Sequence, residues 1–437
     1  MLNELARTFA GSLVHSLNGK ALCVCCRCGR LNVGTVLQVD RETKLMWRAR
    51  RLACAVMAAA GALLTAVPWV SAVAAPQLIQ VGPHRDIKTI AEAATLARDG
   101  ATVEVDAGDY VGDTAAWAQD NLSLRAVGGR VRLLANGAAE QGKGIWVMRG
   151  QNISVEGFDF EGAKVPHGNG AGIRLERGSL LVRDCSFMRN EIGLLTNNDP
   201  QTSLRVENSE FAHNRRLDGH NHNLYVGEIK SLVVTGSYFH HGSVGHLLKS
   251  RAATNHIAYN RLSDDDGGSS SYELEFPNGG VAYVVGNIIQ QSADTENSIL
   301  ISFGAEGYRW PTNELYLVNN TLIDQRPQPG VFVRVVPGAT TVRVLNNLWV
   351  GPGRLMFDRL MLEDSADVRN NFLVPASEFE FSAPVSHGLK RDSRLQGQAV
   401  DPGTAHGVSL QPSRQYLHPR STVTLDPSPA DPGALQN

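Results

Sequence analysis

The chain is poor in cysteine, in aromatic residues and in net charge, and each shortage removes a class of answer. It has six cysteines in 437 residues. Cys23, Cys25, Cys26, Cys28 and Cys54 all precede residue 75, and only Cys185 follows. No Cys or His set at zinc-site spacing follows the early cluster, which excludes a zinc-finger reading. Without a second cysteine beyond residue 75, that region has no internal disulfide and must be held by its core. A net charge of -2 with no basic stripe excludes a nucleic-acid binder. One long apolar run exists, Leu52 to Val67, behind Arg48, Arg50 and Arg51 and before the small residues Ala72 and Ala74. That order predicts a secretory signal peptide over 46–74, cleaved after Ala74, with Met46 as the working start and 1–45 outside the mature protein. The run is short for a membrane span, so no stable insertion is expected after cleavage, and the mature chain is placed in the periplasm or outside the cell.

Glycine is plentiful at 43 residues, and asparagine recurs at fixed places. Asp86 to Ala97 sets Ile87, Ile90, Ala91, Ala94 and Ala97 on one helical face, with Asp86 as N-cap and Gly100 as the stop. Such a short helix reads as a lid over an open end of strands. Beyond it one pattern repeats: apolar-x-apolar-x-x-(Asn or small)-x-apolar. The small or Asn position falls at Phe158, Cys185, Ser209, Ser237, Asn260, Asn287, Asn320, Asn347 and Asn371, at gaps of 23 to 33 residues. Two residues later come Phe160, Phe187, Phe211, Phe239, Leu262, Ile289, Leu322, Trp349 and Leu373. Short strands repeating in the twenties make a solenoid whose turns bury their faces against one another. No helix accompanies each repeat, which excludes a leucine-rich horseshoe, and a propeller blade of about 40 residues is too long.

The capping helix, the VEVDAGDY entry, the coils with Asn bends and the closing DPGALQ together resemble the right-handed parallel β-helix, or pectin-lyase-like, proteins. The resemblance implies an all-β solenoid of about 9 to 10 coils over 75–375, monomeric, and the Pro, Ser and Gly content of 376–437 predicts an irregular C-terminal tail. The fold hosts many activities, so function must be argued from the site.

In such a coil one strand per turn lines a groove. The segments 172–176, 193–197, 223–227, 246–250, 272–276, 299–303 and 332–336 fit that strand. Strict alternation sends Leu224, Val226, Leu248, Leu274, Phe276, Ile301 and Phe303 inward. It sends Arg174, Glu176, Asn223, Tyr225, Lys249, Glu273, Glu275 and Ser302 outward. Lys249-Ser250, at the end of an apolar strand, resembles the Lys-Ser segment of the chondroitinase B and alginate lyase branch. That resemblance implies Lys249 as the base that removes the proton beside a uronate carboxylate, given neighbouring cations such as Arg251 or partial burial to lower its pKa. The branch's acid arginine has no counterpart in Glu273–Pro277, which leaves proton donation to His220, His222, His246, Tyr225 or Arg251. Eight of thirteen histidines lie between residues 167 and 256. Of these, His213, His240, His241 and His256 are expected at turns or coil bends.

Glu273 and Glu275, two apart on one strand, are expected to point the same way, with Asp264, Asp265 and Asp266 just before. The five carboxylates suit a calcium ion that neutralises a substrate carboxylate, or an acid and base pair that hydrolyses a glycosidic bond. The loop from Phe303 to Trp310 interrupts the longest repeat. It offers Tyr308 and Trp310 for stacking on sugars and Arg309 for a uronate, while Asn223 and Arg174 complete the expected substrate contacts. The residues thus predict an exported protein acting on an acidic polysaccharide, by β-elimination in the first instance. A glycoside hydrolase, a uronan C5-epimerase and a non-catalytic exopolysaccharide-binding protein remain the alternatives.

Overall fold

The computed structural model describes residues 76–436 except 217–218, 220, 296, 358–365, 380–387 and 427–429. The expected leader, the early cysteines and His220 lie outside the described residues. The chain winds as a right-handed parallel β-helix of ten turns.

The bends explain the repeat. Most coils reach one residue of left-handed backbone, such as Gly157, Asn208, Gly236, Gly286, Asn319, Asn346 or Asn370, with φ between 48° and 87°. Glycine and asparagine enter that region at least cost, which is why they recur there. The following residue turns inward. Asn260, Asn287, Asn320, Asn347 and Asn371 stack as a ladder in which each side-chain oxygen accepts the preceding Asn backbone N–H at 2.9 Å. Ser237 and Ser209 carry the same contact to earlier coils through their hydroxyls. The ladder satisfies buried backbone groups that a sharp bend would leave unpaired.

Two residues on, the expected inward column is in register from coil to coil: Phe160, Phe187, Phe211, Phe239, Leu262, Ile289, Leu322, Trp349 and Leu373. The four phenylalanines stack with ring centroids 4.5 to 4.9 Å apart. Leu373, on the last of these coils, is the exception and is largely exposed. Phe211 is fully buried, so Phe211→Ala is expected to cost about 3–5 kcal/mol through lost transfer energy and the cavity left behind. Denaturant unfolding of the variant measures this.

Ten strands form the second sheet: β1 (Ala115–Trp117), β2 (Gly144–Met148), β3 (Ala171–Leu175), β4 (Ile192–Thr196), β5 (His222–Val226), β6 (His246–Ser250), β7 (Tyr272–Phe276), β8 (Ile299–Phe303), β9 (Val331–Val335) and β10 (Arg354–Phe357). Their inward residues join the main core, which runs along the coil axis.

The capping helix is shorter than its pattern suggested. It spans Ile90–Leu96, and its N-cap is Thr89 rather than Asp86. The Asp113 carboxylate also accepts the free N–H groups of Ile90 and Ala91. Asp113 therefore supplies a cap from the next turn of chain, which a local reading does not see. Ile87 pairs instead with Val81, and Ala91 is exposed; Ile90, Ala93, Ala94 and Ala97 make the buried face. Residues 399–426 and 430–436 lie along the coils, with two short hairpins, Thr404–Ala405 with Val408–Ser409 and Arg414–Leu417 with Ser421–Thr424. Leu410 packs with Tyr283 and Tyr316, and the Ala434 N–H reaches Thr321. No helix among the described residues is long and apolar enough to cross a membrane.

Candidate functional site

The outer face of β5, β6 and β7 carries two stacked rows. Tyr225, Lys249 and Glu275 are in register in one row, and His222, His246 and Tyr272 in the other. The rows lie three residues apart, not two, because strict alternation fails at the start of these strands. Leu247 and Leu248, Leu300 and Ile301, and Phe332 and Val333 are successive residues that are all buried in one core. The inward column at this level also takes Asn223 and Glu273, both expected outside. Asn223 is buried and joins a second asparagine ladder, accepting from Asn214 at 2.8 Å and donating to the Phe211 and His240 carbonyls. Glu273 is fully buried, with one oxygen accepting from Ser270 at 3.2 Å. Burial, aided by the nearby Asp264 charge, pushes its carboxyl well above the usual range.

Glu273 and Glu275 therefore do not face together. Glu275 projects outward, with an oxygen 3.1 Å from His246 Nε2 and 3.0 Å from Lys249 Nζ. Burial alone would raise its pKa, but the His246 hydrogen bond and the Lys249 charge hold it below the ordinary value. His246 is in turn pushed down by burial. Its Nε2 faces the Glu275 carboxylate. His222 packs tilted against His246 and edge-on against Tyr225, with centroids 4.6 and 4.9 Å away.

The loop after β8 closes the site from the far side. Its Glu306 accepts from Lys249 at 2.9 Å and from Arg251 at 2.7 Å, one oxygen to each cation. Those hydrogen bonds, Arg251 first, bring the Glu306 carboxyl down to about 2. The contact therefore stays ionised from neutral pH into strong acid and opens only as pH falls through about 2. Arg251 also donates to Tyr225 Oη at 3.2 Å and to Asn278, with its guanidinium 5.9 Å from the Tyr225 ring centroid. Lys249 is mostly buried. Burial works against its charge, but Glu275 and Glu306 outweigh it and raise the pKa above the ordinary lysine value. A lysine base needs the opposite shift. Beside the expected cation Arg251, with which it shares Glu306, Lys249 has two carboxylates in contact.

Other expected contacts fall differently. Tyr308 does not offer its face to a sugar: it packs on Phe303, donates to the Val336 carbonyl at 2.6 Å, and fills the space over Gly279, Gly304 and Gly338. Trp310 is half-buried and donates to the Arg251 carbonyl at 3.0 Å, so it holds the loop onto the site. Arg309 is exposed and pairs with Glu228. Arg174 lies three coils from Lys249, bonded to Asn197.

The five carboxylates read as a calcium site do not converge. Asp264 turns inward and accepts the Gly242 and Ser270 N–H groups, and burial pushes it up to about 6. Asp265 accepts from Tyr238, Ser263 and Arg261, and Asp266 is exposed. Among the described residues, no set of three of these acids brings ligand oxygens together. Glu306 and Asn278 are the members of the site that sequence reasoning did not assign. The signal for Glu306 was its place in the loop that lengthens one repeat.

No protein-family model and no curated protein matches the chain. Among solved structures it is similar to a pectate lyase, Pel9A, at 13% identity over 84% of this chain and 98% of that one, with a TM-score of 0.57. It is more distantly similar to the pectin methylesterase from Aspergillus niger, at 12% identity over 69% and 91% of the two chains, with a TM-score of 0.38. At such identities the likeness is one of fold, and by coil, cap and sheet that fold is the right-handed parallel β-helix.

Proposed function

We propose that the outer face of β5 to β7 binds an acidic polysaccharide and cleaves it by β-elimination at a uronate. The observation that carries this reading is the Glu306 carboxylate held between Lys249 and Arg251, with one oxygen on each. Two cations so spaced form a clamp for a carboxylate, and a uronate presents that group. Neutralising the uronate carboxylate stabilises the negative charge that develops when the adjacent carbon loses its proton.

In this reading Lys249 and Arg251 bind the charge, and Tyr225 moves the proton. Tyr225 Oη accepts from Arg251 at 3.2 Å, which fixes where that oxygen points. Tyr225 takes the proton, the C–H electron pair becomes the new carbon–carbon double bond, and the glycosidic C–O bond breaks. Tyr225 then returns the proton to the leaving oxygen on the same face. His222 and His246 wall the site, and His246 orients Glu275. Hydrolysis by a carboxyl pair fits less well: Glu275 and Glu306 are both held below the ordinary carboxylate range, which leaves neither as the protonated acid such a reaction needs. The leader-like segment over 46–74 suits this activity to the periplasm or the exterior.

The test is ultraviolet absorbance of the unsaturated product during incubation with a panel of uronate polymers. A rise is expected with at least one of them. Glu306→Gln removes the internal competitor for the clamp and is expected to lower KM by about 2- to 5-fold, as the loss of a part-exposed ion pair permits. Binding without any rise in absorbance would overturn elimination.

A further inference from the structure

We infer that the coil corner at His213, His240 and His241 is a binding site for a late first-row divalent metal ion, zinc by preference, with an open fourth position. His213 and His241 occupy the same left-handed corner position on adjacent coils, with φ of 56° and 46°. Their ring centroids are 4.5 Å apart, and His240, the residue before His241, completes the triangle. One ring nitrogen from each of the three lies within 4.8 Å of the others, the only such group of three His, Cys, Asp or Glu among the described residues.

The second shell is already built around His240. Its Nε2 meets the Glu210 carboxylate at 3.1 Å, and Tyr238 stacks on the ring at a centroid distance of 4.1 Å. A carboxylate on Nε2–H fixes the tautomer that leaves Nδ1 as a lone pair, the arrangement that metal-binding histidines use. That Nδ1 lies 2.5 Å from Nδ1 of His241. Tetrahedral zinc at about 2.0–2.1 Å from each nitrogen needs them roughly 3.4 Å apart, so the pair opens by under about 1 Å. Three imidazoles with no thiolate suit zinc, copper or nickel and not calcium or magnesium. His240 is buried and His213 exposed, which leaves the fourth position toward solvent.

The experiment is zinc titration of the chelator-treated full chain against a chromophoric competitor, followed by cobalt loading. Expected are a bound ion whose cobalt form shows tetrahedral visible bands without the thiolate charge-transfer absorption that the early cysteines would give, and affinity that falls as pH drops and the rings protonate. Glu210→Gln should weaken binding by about 10- to 100-fold, and His213→Ala by more. His213 is exposed, so that variant keeps its fold, which circular dichroism checks. Absence of binding, or binding unchanged in folded His213→Ala, overturns the site.

Discussion

Tyr225→Phe lowers kcat for uronate-polymer cleavage by about 10²- to 10⁴-fold, the usual worth of a positioned proton-transfer group, and leaves KM nearly unchanged. The substitution keeps the ring against His222 at 4.9 Å and beneath Arg251, so it removes the hydroxyl and little else. Lys249→Ala behaves differently: it opens the carboxylate clamp and raises KM along with its loss of kcat. The pH dependence separates the two roles. With its pKa raised by Glu275 and Glu306, Lys249 keeps its charge through neutral pH and loses it only above the ordinary lysine range. As part of a clamp it therefore supports activity below that range; as a base it would support activity only above it. Steady-state rates from product absorbance decide the matter, and a Tyr225→Phe enzyme with wild-type kcat would return the proton transfer to another group.

Asn320→Ala is expected to destabilise the protein by about 3–5 kcal/mol, among the larger effects of any single substitution. The Asn320 oxygen accepts both the backbone and side-chain N–H of Asn287, and its amide donates to the Val284 and Val318 carbonyls and to Asn347. Every partner is buried, and each orphaned group costs about 1–3 kcal/mol. Asn371→Ala, at the partly exposed end of the ladder, leaves fewer groups out of water and is expected to cost about 1 kcal/mol. Equilibrium unfolding in guanidinium compares them. Equal losses would mean that the ladder fills space and that the bends satisfy their backbone groups in another way.

The coil itself was legible because its rules are local. Left-handed bends call for Gly or Asn, strands alternate with period two, and a side chain that repeats on every turn stacks on its own copies. The Phe160 to Trp349 column and the Asn260 to Asn371 ladder follow from those three rules alone. The same rules failed at the start of the groove strands, where Leu247 and Leu248 both turn inward. There the direction of Glu273 and Asn223 is set by the adjoining coils, and alternation has no information about it.

The site shows the same division. Which polar residues share the outer face of β5 to β7 was readable in part, since Tyr225, Lys249 and Glu275 fall on one row. What they do electrostatically was not. Glu306 meets Lys249 from 57 residues away, and Tyr308 and Trp310 hold its loop in place by bonds to Val336 and Arg251. Composition, repeat and bend chemistry determined the architecture, because each acts within one coil or between identical neighbours. Only the tertiary structure decided the carboxylates around Lys249, the burial of Glu273 and the meeting of three histidines at one corner, because burial and contact depend on what the chain brings together through space.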